Sequence, residues 1–224
     1  MKKIFVLWPT VRPAMFIQTV NDWIERSVNE HNIYYLPRVT DNVQANEINM
    51  CFKMRCNVFP SVGNTSLSSA LYGQCLGMDC EDTDIILVAQ DDLYPPNSWD
   101  EIVLKEFEDH DGAVFFNDGI QVYPADVCVM PCLTFKALKM LNMIIYHPDY
   151  KHLYPDREYY HNCIDLGILK DVRETNTAVF EHRHYSNGKR TRDSIDDRAT
   201  LNEAEDLKTF DRRMLMPVAE RMKV

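Results

Sequence analysis

Glycine is scarce in this chain, seven in 224 residues, and none clusters behind the first apolar segment. A glycine loop of the kind that cradles phosphates is therefore missing. No apolar run approaches a membrane span either. Met1 to Trp8 opens like a signal peptide, but Pro9 and Arg12 end it too early for export or spanning, so it reads as a first strand. Net positive charge is absent: 24 Lys and Arg face 34 Asp and Glu, a balance of -10. That excludes a bulk electrostatic grip on nucleic acid and leaves only local basic patches. None of the seven cysteines forms a Cys-x-x-Cys pair. An odd, scattered set argues against disulfides and structural zinc and for reduced, mostly buried thiols in a cytosolic compartment. Repeats, low-complexity tracts and linkers are also missing. The simplest organisation is one domain over residues 1–199 with a C-terminal helix over 200–224 as an arm.

What is present is led by Asp84 to Asp92, a short β-branched apolar run that ends in the adjacent carboxylates Asp91 and Asp92 and is followed by Pro95-Pro96. Such a run predicts a strand buried on both faces, whose carboxyl end is where parallel sheets bind ligands. Two like charges at that lip cost free energy to desolvate, which points to a hard divalent cation, Mn²⁺ or Mg²⁺. The pair also suits a plain turn that caps the next segment.

Around this strand the pattern alternates. A strand over Lys3 to Trp8 precedes a Pro13-started helix carrying Phe16, Ile17, Val20, Trp23 and Ile24, and a second strand spans Asn32 to Pro37. Asp41 to Asn46 reads as a polar stretch, with a helix from Asn64 through Leu67, Leu71 and Leu76. Ser98-Trp99-Asp100-Glu101 matches a capping box. Further strands are expected at Gly112 to Phe116, Asp126 to Met130 and Thr177 to Phe180. Further helices are expected at Leu133 to Asn142, Asp156 to Leu166 and Thr200 to Met222. Strands alternating with helices in this way make an α/β sandwich. His182-Arg183-His184 is the second constellation, because alternate residues of an extended segment share a face and a neutral imidazole ligates Mn²⁺.

The order of the strand, Trp8-Pro9-Thr10-Val11-Arg12-Pro13, the buried strand into Asp91-Asp92 and the late His-x-His resembles the family 2 glycosyltransferases of the GT-A fold. It is similar in particular to small members from bacteriophages and bacteria. The resemblance implies a mixed central sheet and transfer of a sugar from a nucleotide-sugar, typically a UDP-sugar, with inversion and a divalent metal. Carried over, Asp92 is the direct metal ligand and Asp91 its donor-side support. Gln90 stands where many relatives carry a third acid. His184 is the favoured late ligand, with His182 the alternate and Lys189 a diphosphate contact. Thr10, Arg12, Asp41 and Asn64 fall on the donor side. Asp156 is the implied general base, followed by Glu158 and then Asp165.

The same residues have plain readings: Thr10 and Arg12 suit a helix entrance, Asn64 an N-cap, and Asp156 a first helical turn. Tyr146, Tyr150, Tyr154, Tyr159 and Tyr160, with His147, His152 and His161, offer stacking faces to a glycan or a nucleobase. The implied acceptor is a glycan or, for a phage-type member, a hydroxymethylated pyrimidine in DNA, modified in the host cytoplasm. The alternatives are a nucleotidyltransferase, which the missing glycine loop disfavours, and a non-catalytic nucleotide-sugar-binding module.

Overall fold

Side-chain alternation along two neighbouring strands sets the layers. In β1 (Ile4–Pro9), Ile4, Val6 and Trp8 face one core while Leu7 faces another; in β4 (Ile85–Val88), Ile85 and Leu87 join the first core while Ile86 and Val88 join the second. Both faces of β4 are covered, which is why its four residues are apolar without a break. The computed structural model describes residues 2–39, 42–52, 61–62, 66–121 and 123–224. The remaining strands are β2 (Ile33–Val39), β3 (Ser61–Val62), β5 (Leu93–Tyr94), β6 (Ala113–Phe115), β7 (Cys132–Thr134), β8 (Leu169–Asp171) and β9 (Glu181–His182). Seven of the nine described strands form a mixed sheet in the order β3-β2-β1-β4-β7-β6-β8, and β5 and β9 pair separately. β1 pairs in parallel with β2 and β4, whereas β7 runs antiparallel between β4 and β6. The chain moves to one side of β1 for β2 and to the other for β4, so a crevice opens at their carboxyl ends.

The helices are α1 (Pro13–Glu25), α2 (Asn42–Phe52), α3 (Leu67–Leu76), α4 (Trp99–Glu106), α5 (Phe135–Met140), α6 (Pro155–Asp165), α7 (Ser194–Met214) and α8 (Val218–Arg221). α1 and α4 cover the first face, where Trp8, Trp23 and Trp99 pack edge to face with centroids 5.6 and 4.7 Å apart. α3, α5 and α6 supply Leu71, Leu138 and Tyr159 to the second. Among the described residues no helix is long and apolar enough to cross a membrane. Cys75, Cys80, Cys128, Cys132 and Cys163 are free thiols, all but Cys80 buried. Gly112 precedes β6 where the chain is tight: a Cβ there would lie 2.2 Å from the Ile168 carbonyl oxygen.

Several local expectations are corrected. The stretch after Asp41 forms α2 rather than a polar connection, while Asp41 and Asn64 themselves lie outside the described residues. Ser66 caps α3, accepting from the Ser69 N–H at 3.0 Å. Ser98 makes no capping box: its φ of 56° is left-handed, and its N–H donates to the Arg26 carbonyl at 2.7 Å. Asp126 to Met130 is not a strand; the strand is Cys132–Thr134, and the helix expected from Leu133 starts at Phe135. Thr177 to Phe180 contributes one isolated bridge, Asn117 to Val179. The last helix starts six residues before Thr200, behind an Asp193–Asp196 capping box, and a break at Pro217 separates α7 from α8.

Candidate active site

The short ladder of β5 and β9 builds the centre of the site. Leu93 pairs with His182 and the Arg183 N–H donates to the Asp92 carbonyl at 2.7 Å, so the late histidine is delivered to the carboxylate pair. The two carboxylates then divide. Asp91 turns inward, accepting from Trp8 Nε1 at 3.0 Å and from the Thr10 hydroxyl at 2.9 Å. Burial pushes its pKa up to about 7 against those two hydrogen bonds. Asp92 turns toward the crevice, with Oδ2 accepting from Arg190 Nε at 2.9 Å and Oδ1 3.4 Å from His182 Nε2. Burial raises its pKa, but His182 and Arg190 outweigh that and hold it near 2. His182, although burial lowers it, is raised to about 9 by Asp118 and Asp92.

A cleft of about 340 Å³ runs from this centre, lined by Arg12, Asp92, His182, Arg190, Tyr146, Tyr154 and Asp156 among others. Asp156, in the first turn of α6, is part-buried, and burial lifts its pKa to about 6 against hydrogen bonds from backbone N–H groups. Arg157, next in sequence, is drawn away from Asp156 into a bidentate pair with Asp126. A smaller pocket of about 190 Å³ adjoins at the ends of β1 and β2, lined by Thr10, Arg38, Ser66, His152, Arg198 and Asn202. The first turn of α7 roofs both spaces. Arg12 donates to Asp193 and Asp196, and Arg190 donates both terminal nitrogens to Asp196, fastening that turn to the first loop and to Asp92.

Other expected residues stand elsewhere. Glu158 is 2 % exposed and takes Arg213 at 2.8 and 2.9 Å and the Tyr150 hydroxyl at 2.7 Å, a buried structural pair with no access to the cleft. Asp165 pairs with Arg221 at the far end of α6. Lys189 is exposed and pairs with Glu181 at 2.5 Å; its neighbour Arg190 is the cation that reaches the site. His184 lines the cleft, but its Nδ1 accepts from the Ser186 N–H at 3.3 Å, which puts the proton of the neutral ring on Nε2. Of the aromatic cluster, Tyr146, Tyr154 and His152 line the cleft, whereas Tyr159 and Tyr160 pack on Phe115. Asp118, Arg190 and Asp196 were not expected as site residues. Only Arg190 had a signal, as one member of the basic run Lys189 to Arg192.

Asp92 and His182 carry the donor chemistry a divalent ion takes, and an ion there would displace Arg190 from Asp92 and the Nε2 proton from His182. Two ligands about 2.1 Å from one octahedral ion lie about 3 Å apart, close to the 3.4 Å between Asp92 Oδ1 and His182 Nε2. Among the described residues no third His, Cys, Asp or Glu completes a cluster.

No family model matches the chain, and no curated protein matches it in sequence. Solved structures do. TarS of S. aureus superposes with a TM-score of 0.64 at 9 % identity, over 81 % of this chain and 37 % of TarS. The mannosyltransferase PcManGT of Pyrobaculum calidifontis, in complex with GDP-Man and Mn²⁺, superposes with a TM-score of 0.63 at 11 % identity, over 98 % of this chain and 73 % of that enzyme. The chain has the GT-A glycosyltransferase fold. It spans little more than a third of TarS, whose 1–349 fragment has been solved in complex with UDP-GlcNAc and gives a TM-score of 0.63 at 10 % identity. The GT-A sandwich also resembles 4-diphosphocytidyl-2C-methyl-D-erythritol synthase of Anaerococcus prevotii, with a TM-score of 0.54 at 11 % identity over 91 % of this chain and 96 % of that one.

Proposed function

We propose that the chain is a metal-dependent glycosyltransferase that moves a sugar from a nucleoside diphosphate to an acceptor hydroxyl with inversion. The observation that carries this reading is that Asp92, His182 and the part-buried Asp156 line one cleft. The similarity to structures bound to UDP-GlcNAc and to GDP-Man with Mn²⁺ supports it. Asp92 and His182 would hold the ion, which when bound offsets charge on the departing diphosphate. The smaller pocket suits the donor's base and ribose.

Asp156 accepts the proton of the acceptor hydroxyl as its oxygen attacks the anomeric carbon. The bond from that carbon to the β-phosphate oxygen breaks, and its electron pair leaves with the nucleoside diphosphate. A carboxylate titrating near 6 is ionised at neutral pH yet more basic than an ordinary acid, which suits this task. Tyr146 and Tyr154 offer the acceptor apolar ring surface beside Ile120, Val127 and Val129.

Nucleotide binding with Mn²⁺ or Mg²⁺, read as thermal stabilisation, tests the donor side. A folded sample that no nucleoside diphosphate stabilises with either ion refutes the proposal. The similarity to the cytidylyl-type synthase gives one second reading, nucleotidyl transfer. The products separate the two, because sugar transfer releases a nucleoside diphosphate and nucleotidyl transfer releases pyrophosphate.

A further inference from the structure

We propose that Asp118 is the positioning residue of the cation site: it holds the far edge of the His182 ring so that the near edge serves Asp92 and the ion. The inference rests on the metal-dependent reading above and names a residue that reading does not need. Pairing between two distant segments creates the arrangement. The Phe180 N–H donates to the Asn117 carbonyl at 2.8 Å and the His182 N–H to the Asp118 carbonyl at 2.9 Å, so the backbones of 117–118 and 180–182 are tied together.

The Asp118 carboxylate is already fixed in rotation by its own loop. Its Oδ1 accepts from the N–H groups of Ile120 at 2.9 Å and Gln121 at 2.6 Å. That leaves Oδ2 buried without a hydrogen-bond partner, 3.8 Å from His182 Nδ1, which is also buried without one. Unmade hydrogen bonds of buried groups are costly, and a shift of about 1 Å brings the two atoms to an ordinary hydrogen-bond distance. With Nδ1–H directed at Asp118, the proton that an incoming ion displaces from His182 is the one on Nε2, so the lone pair freed there faces the ion beside Asp92. His184 has no such carboxylate: its Nδ1 is taken by Ser186. Asp118 thus selects which of the two histidines has the ligating tautomer.

Asp118→Asn is a nearly isosteric probe. The amide oxygen keeps the Ile120 and Gln121 bonds, while the amide nitrogen donates to His182 Nδ1 and forces the proton onto Nε2. Mn²⁺ binding to the full chain, measured by the paramagnetic resonance of free Mn²⁺ with and without UDP, should weaken 10- to 100-fold in this variant. Its melting temperature should stay near wild type. His182→Ala should show a similar loss, and the double variant no further loss. Wild-type Mn²⁺ affinity in a folded Asp118→Asn overturns the inference alone. A wild-type chain that binds neither Mn²⁺ nor any nucleotide overturns the proposed function, and the inference with it. A wild-type chain that binds nucleotide but never Mn²⁺ overturns the inference and the metal requirement, leaving donor binding intact.

Discussion

Asp156→Asn should remove activity and strengthen the fold at the same time. The carboxyl titrates at about 6 rather than 3.8 because burial disfavours its charged form. The folded chain therefore binds this proton more tightly than the unfolded chain does, and stability falls as pH rises between those two values and is flat above them. At pH 8 the full burial cost is present, at most about 3 kcal/mol at about 1.4 kcal/mol per tenfold change in proton affinity. Because part of the group faces solvent, about 1–2 kcal/mol is the realistic share. Asparagine has no charge to bury, so the variant should melt about 3–6 °C higher at pH 8 and match wild type at pH 3.5. Turnover should fall about 10²- to 10⁴-fold, as expected on loss of a general base, and wild-type activity should rise with pH through about 6. Calorimetric melting at the two pH values and release of nucleoside diphosphate measure both effects. A variant that is less stable at pH 8, or that keeps turnover within threefold of wild type, refutes the reasoning.

Glu158→Gln, two residues away, should do the reverse: it removes the buried counter-charge of Arg213, leaving only the more exposed Asp149 at 3.7 Å, and should cost about 2–4 kcal/mol in denaturant titration, with the pH profile of the surviving activity unchanged. Asp92→Asn should abolish the metal-dependent part of nucleotide stabilisation, which for wild type is about 2.7 kcal/mol with ligand at a hundred times its dissociation constant. Arg12→Ala removes one of the two guanidinium groups that hold Asp196 in the first turn of α7, and hydrogen exchange over 194–200 should quicken while the β4 amides stay protected. Gly112→Ala drives a methyl against the Ile168 carbonyl and should cost about 1–3 kcal/mol in thermal or chemical unfolding.

The central strand and its carboxylates were legible because both faces of β4 are covered, so burial writes itself into consecutive residues. The first helix was legible because Pro13 opens it and its apolar residues recur at helical spacing. Elements decided by distant partners were not. Ser98 matches a capping pattern letter by letter, yet its backbone is committed to Arg26, more than seventy residues earlier. β6 falls inside the strand expected at Gly112 to Phe116, but β7 and β8, also of three residues, are too short for a period, and pairing alone defines them. Of the expected residues that line the cleft, Asp92 was read from its place at the end of a buried strand and Asp156 from the family resemblance. Asp118 sits in Asn-Asp-Gly, which locally signals only a turn. The choice between the two late histidines rests on what touches each ring's second nitrogen, which adjacent residues do not reveal.

The hydrogen bond from Trp8 to Asp91 has an optical consequence. All three tryptophans of the chain belong to the cluster formed by Trp8, Trp23 and Trp99, so its tryptophan emission comes from one place. One indole of that cluster donates directly to the carboxylate preceding Asp92. Events at the crevice are thus one hydrogen bond and one peptide unit from the protein's own chromophores, and a fluorescence titration with unmodified protein should report them without a label.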